Sequence, residues 1–154
     1  MSLLTIHVAL SLVGIVTGFI AMFGMVQARK PGAWTALFLL TTVLTSATGF
    51  PLPPPGFDPP RLFGIISLAL MAIAIPGLYV FHLARRWRLL YVLSATAALY
   101  LNAFVGVVQT FQKIPFFQAL APTQSEPPFV IAQVALLAIF ILLGVTAAKK
   151  FHPG

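Results

Sequence analysis

Cysteine is absent from this chain of 154 residues, and only two residues, Asp58 and Glu126, are acidic. The first absence excludes disulfides and thiolate metal sites and leaves the redox compartment unreadable. The second belongs to a general poverty of charge: 7% charged residues, against about 25% in a soluble domain. Such a chain has no means of covering a water-facing surface, and at 60% hydrophobic it belongs in lipid. Catalytic patterns are missing as well. There is no G-x-S-x-G, no H-E-x-x-H and no P-loop. No pair of His, Asp or Glu shows metal-ligand spacing, so no metal site is expected.

What the chain has in abundance is long apolar runs. Five of them, near 3–28, 33–52, 62–83, 88–111 and 129–148, are each long enough to span about 30 Å of hydrocarbon. Each is expected to be an α-helix, because backbone groups facing lipid must be satisfied within their own segment. The alternative, a β-barrel, needs short alternating segments, and these runs are continuous. The expected fold is therefore all-α, a single membrane domain over 1–154 with outer loops at 53–61 and 112–128. The first run is longer than the apolar core of a signal peptide and has no positive segment before it, so a retained helix is expected.

Nine basic residues give a net charge of +7. In a soluble protein that would suggest nucleic acid. Here the basic residues sit in short clusters between apolar runs, which points to anionic membrane lipids and away from nucleic acid. Arg29, Lys30, Arg85, Arg86, Arg88, Lys149 and Lys150 fall on one side of the expected bundle, and only Arg61 and Lys113 on the other. Positive residues stay cytoplasmic, so the expected N-terminus is outside and the C-terminus inside. Trp34 and Trp87 suit anchors on the inner side. An odd number of spans with no internal period gives no sign of the two-half repeat of many transporters.

The polar residues within the runs are gathered in one half. His7 and Ser11 share a helical stripe with Gly14 and Gly18, whose spacing permits close helix approach, within one chain or between copies. The second run places Thr41, Thr45 and Thr48 on one face, with Thr42 and Ser46 beside it. In the third, Ser67 lies near the outside and Pro76-Gly77 is expected to kink the inner half. In the fourth, Asn102, Gly106, Gln109 and Lys113 form a stripe from mid-membrane to the outer surface. The fifth adds Gln133 one turn inside its outer end. Above them lies APTQSEPPF, residues 121–129, with Gln124 and Glu126. The expectation is a polar pocket open to the outside under a structured 112–128 lid. Its candidate ligand-binding residues are His7, Thr45, Asn102, Gln109, Lys113, Gln124, Glu126 and Gln133. Gly14, Gly18 and Gly106 are the candidate packing positions. Pro127-Pro128 would open the last helix, with Ser125 or Glu126 as its cap.

Packing offers a second account of the same residues. Ser and Thr in membrane helices bond their own backbone or a neighbour, and Asn or Gln joins helices at about 1 kcal/mol each. For Glu126 a helix cap or an ion pair with Lys113 is a better expectation than catalysis. The basic clusters serve topology. A haem held by two imidazoles is excluded for His7 and His82, which lie almost a membrane thickness apart in the expected topology.

The segments LYLNAFVGVVQTFQKIPFFQALAPTQSEPPF, residues 99–129, and TSATGFPLP, residues 45–53, resemble stretches of small bacterial inner-membrane proteins of uncharacterised function. The resemblance implies a bacterial inner membrane and brings no activity with it. No cofactor is indicated. The leading expectation is a non-enzymatic membrane subunit or binding protein for a lipid- or quinone-like molecule, or for a partner subunit or a second copy of itself. The alternatives are a redox subunit binding haem or quinone through His7, and a small transporter or membrane enzyme acting on a lipid.

Overall fold

The computed structural model of the protein describes residues 2–51 and 59–152. Among these residues there are six helices and no strand: α1 (Leu3–Val26), α2 (Ala33–Gly49), α3 (Pro59–Tyr79), α4 (Arg86–Lys113), α5 (Pro115–Leu120) and α6 (Pro127–Lys150). Four of them, α1, α3, α4 and α6, are long and apolar enough to cross a membrane, while α2 is a shorter apolar helix of 17 residues. The outer loop expected at 53–61, with Asp58, falls largely outside the described residues.

Local chemistry accounts for the helix ends. Ser2 caps α1 by accepting from the Thr5 amide at 3.1 Å. That helix stops at Val26, two residues short of the expected end, where Ala28 takes a positive φ of 58°. Proline occupies the first turn of α5 and α6, where its missing N–H costs no helical bond. The third helix ends at Tyr79, not at 83. The Pro76 carbonyl accepts from both Val80 and Phe81, and Leu83 N–H closes back on Gly77. Positive φ at His82, Leu83 and Arg85 turns the chain, and the Phe81 ring stacks on Trp87 with centroids 4.2 Å apart.

Neighbouring long helices run antiparallel. Gly14 faces Thr41 and Gly18 faces Phe38 across α1–α2, while Gly18 also meets Leu99 of α4. Gly77 meets Trp87 and Tyr91 across α3–α4, and Gly64 meets Phe50 across α2–α3. The helices α1, α2, α3 and α4 thus form a ring, with α6 packed outside it against α4 and α1. Lipid tails are as apolar as leucine, so burial alone does not hold such a ring together; close van der Waals approach does. Small residues supply it: Ala21, Ala74, Ala95, Ala98, Ala103 and Ala147 are all buried. The centre is filled by Met22, Phe38, Met71, Tyr91 and Leu99.

Candidate functional site

A cavity of about 500 Å³ opens in the half of the ring that carries the N-terminus, between α1, α2, α3 and α4. That size suits a small-molecule site. Polar residues reach it from every wall: His7 and Ser11 of α1, Thr45 and Ser46 of α2, Ser67 of α3, and Asn102, Gln109 and Lys113 of α4.

Each side chain has an identifiable support. His7 lies against Gly49, where an added Cβ would come within 3.2 Å of the ring, and its Nδ1 is 2.9 Å from Thr48 Oγ1. The Thr48 hydroxyl already donates to the Leu44 and Thr45 carbonyls. Nδ1 is therefore the donor, and Nε2 of the neutral ring is left as an acceptor. Asn102 donates weakly to Thr42 Oγ1 at 3.4 Å, and its carbonyl oxygen has no partner among the described residues. Gln109 has no hydrogen-bond partner among the described residues, and its amide lines the cavity. Most telling is Thr45. Its hydroxyl is buried without a partner, the residue is 7% exposed, and it forms part of the cavity wall. Other hydroxyls are spent on their own helices: Thr17 on Val13, Thr41 on Leu37, Ser94 on Leu90 and Thr110 on Gly106.

Five of the eight residues singled out from sequence therefore meet at one cavity: His7, Thr45, Asn102, Gln109 and Lys113. Three do not. Gln133 donates to the Phe104 carbonyl at 3.3 Å, on the α4–α6 contact, and its Oε1 is buried without a partner. Gln124, at φ 56°, donates to the Ala121 and Pro122 carbonyls. Glu126 occupies the cap position of α6, yet its carboxylate turns back to accept from the Thr123 amide and hydroxyl and the Ser125 amide. Those donors hold its pKa below the ordinary value of 4.5. Among the described residues no ion pair joins it to Lys113.

The 112–128 segment is consequently not a lid whose polar residues face the cavity. Helix α4 runs on to Lys113, and α5 folds in what was expected to be loop. Phe111 gathers Phe117 and Phe129 edge-on, at 5.3 and 5.4 Å, and so draws the segment toward α6. Only Lys113 and Ile114 of the segment reach the cavity. The walls also include residues that sequence did not mark as site residues. Arg61, Phe63 and Gly64 open α3, and Phe50 ends α2. Arg61 reaches back to the Phe50 carbonyl at 3.2 Å, a contact between segments that no periodicity reveals.

Glycines let the helices close in around the cavity. An alanine Cβ at Gly14 would meet Thr41 Oγ1 at 3.2 Å, and one at Gly106 would meet Ile15 at 3.3 Å. Both glycines pack within this chain. A second cavity of about 400 Å³ lies at the opposite end, beside Gln27, Arg29, Trp34 and Phe151. Between the two lies the buried layer of Phe38, Leu99 and Met22. Among the described residues no three His, Cys, Asp or Glu side chains come together.

No protein-family model, no curated protein and no solved structure matches this chain.

Proposed function

We propose that this chain is a five-span protein of a bacterial inner membrane, with its N-terminus outside and its C-terminus in the cytoplasm. We further propose that it is a non-enzymatic binding protein or subunit holding a lipid- or quinone-like molecule in the cavity of its outer half. The seven-to-two division of basic residues between the two ends supports the orientation. At 1.5 Å per residue, α2 is about 26 Å long, close to the hydrocarbon thickness.

The observation that carries the binding reading is the unpartnered Thr45 hydroxyl in the wall of a cavity also lined by His7, Asn102 and Gln109. Leaving a buried hydroxyl unpaired costs about 1–3 kcal/mol. A polar atom of a guest removes that cost and finds a donor in Gln109 and acceptors in His7 Nε2 and the Asn102 oxygen. The other unpaired buried atoms among the described residues, Gln133 Oε1 and the Tyr91 hydroxyl, lie outside the cavity; what distinguishes Thr45 is that it shares one cavity wall with His7, Asn102 and Gln109. The filled layer between the two cavities favours binding over transport.

Extraction of the protein with its lipids, followed by native mass spectrometry, tests this. Wild type is expected to retain one small molecule, and Asn102→Leu, Gln109→Leu and Thr45→Val each to weaken it by about threefold to tenfold. Unchanged fold, assembly and ligand load in all three variants would refute the reading. Orientation is tested separately, since the chain has no native cysteine. Ser125→Cys should react with an impermeant maleimide from outside, and His152→Cys only after permeabilisation. A quinone redox subunit is the second reading, because the His7 acceptor suits a quinol hydroxyl; haem at His7 would show as a Soret band.

A further inference from the structure

We infer that the cavity takes an anionic amphiphile from the surrounding leaflet, its acidic group at Lys113 and its hydrocarbon chain in a slot between α1 and α4. This rests on the binding reading above and narrows it to one chemical class.

Charge is the first ground. Lys113 stands in the cavity wall, and among the described residues no carboxylate lines it. Among the described residues the Lys113 ammonium has neither a hydrogen bond nor an ion pair. The carboxylate nearest to it in sequence, Glu126, is committed to Thr123 and Ser125. A cation at the mouth of the cleft, with no anion beside it among the described residues, selects a negatively charged guest.

Shape is the second. At Gly18 helix α1 packs tightly on α4, and an added Cβ would overlap Leu99. One turn on, a Cβ added at Gly14 would stand 3.8 Å from Asn102 Nδ2, and beyond this level the cavity begins. The two helices present apolar flanks to the cavity: Leu4, Val8, Leu12 and Ile15 on α1, and Leu101 and Val105 on α4. The α1 residues recur every three or four positions and so form one stripe. Leu12 lines the cavity and is nevertheless 59% exposed, whereas Thr45 on the α2 wall is 7% exposed. The cavity is thus deep on the α2 side and open on the α1 flank, where the surrounding medium is lipid.

The order of groups along the slot is that of a bilayer lipid. Lys113, in the last turn of α4, stands at the end, and the Gly14–Asn102 level forms the floor about 16 Å deeper. Asn102 and Gln109 border one edge of the slot and Leu101 and Val105 the other. A free anion leaves the slot empty; a neutral quinone leaves Lys113 unpaired; a chain with an acidic end group uses both. Fatty acids and anionic phospholipids share that chemistry.

The test uses the full chain in phosphatidylcholine nanodiscs, with occupancy read by native mass spectrometry. The probes are oleate, phosphatidylglycerol, inorganic phosphate and a short-chain benzoquinone. Wild type should load oleate or phosphatidylglycerol in preference to phosphatidylcholine, and which of the two is held more tightly identifies the source. Lys113→Gln, at an exposed position, should lower that loading about tenfold. Leu12→Trp, on the lipid-facing flank, should lower it through the blocked slot. Equal loading of phosphatidylcholine, no effect of either variant, or competition by inorganic phosphate as strong as by oleate would each overturn the inference. Loading of the benzoquinone and not of oleate, with sensitivity to Asn102→Leu, would overturn it and leave the binding reading standing. Indifference of every probe to Asn102→Leu and Thr45→Val would remove the binding reading itself.

Discussion

Replacing Gly18 by alanine tests whether close approach, and not apolarity, holds α1 in the ring. A Cβ at this position would stand 2.9 and 3.0 Å from two carbons of the Phe38 ring, and closer still to Leu99 Cδ1. Phe38 and Leu99 are each 1% exposed, so neither can swing into free space. Overpacking of this kind costs about 1–3 kcal/mol. Alanine regains at most about 1 kcal/mol of helix propensity, so a net loss of roughly 1–2 kcal/mol is expected. Gly24 of the same helix is the reference, because nothing lies within 4 Å of its added Cβ; Gly24→Ala should be neutral or slightly stabilising. A double-mutant cycle sharpens the contrast. Leu99→Ala alone should cost about 2–5 kcal/mol. In the Gly18→Ala background it should cost about 1–2 kcal/mol less, since the new methyl occupies the vacated space. Equilibrium unfolding in mixed micelles, titrated with denaturing detergent, measures all four corners. Equal stability of Gly18→Ala and Gly24→Ala, or strict additivity in the cycle, would refute the packing account.

Three further outcomes are expected. Arg88 donates to the Ala148 and Phe151 carbonyls at 2.9 and 3.0 Å, binding the end of α6 to the start of α4; Arg88→Met should cost about 1.5–3 kcal/mol and expose residues 148–152 to hydrogen exchange. Unchanged exchange there would contradict the tie. The Glu126 pKa is lowered by its Thr123 and Ser125 donors, so the order it gives residues 123–126 is complete above about pH 4.5 and lost as the pH falls through the lowered value. Amide protection at Thr123 and Ser125 should fall in that window in wild type and stay flat in Glu126→Gln; a flat wild-type profile would count against it. The Tyr91 hydroxyl is fully buried and makes no hydrogen bond of good geometry, although the Thr35 side chain stands close by. Tyr91→Phe should therefore be neutral or stabilising by up to about 1 kcal/mol, and a loss above 2 kcal/mol in the same unfolding assay would mean that the hydroxyl has a partner.

Helical periodicity placed Asn102, Gly106, Gln109 and Lys113 on one face of α4, and all four line one cavity. Gln133 shows the limit of such a reading. A stripe gives the direction of a side chain around its own helix, not which neighbour stands opposite, and Gln133 faces Phe104 and not the cavity. In the same way α5 left no trace, because six residues are too few to show a period and its position depends on the Phe111 ring outside it.

Composition and run length alone determined that this chain is helical and suited to lipid. Each long helix satisfies its own backbone, so its existence needs no distant partner. Tertiary structure alone decided that Gly18 packs on Phe38 and Leu99, that a cavity opens between the helices toward Lys113, and that the Thr45 hydroxyl in its wall lacks a partner. Those outcomes depend on contacts between residues far apart in sequence, which no helical period reports.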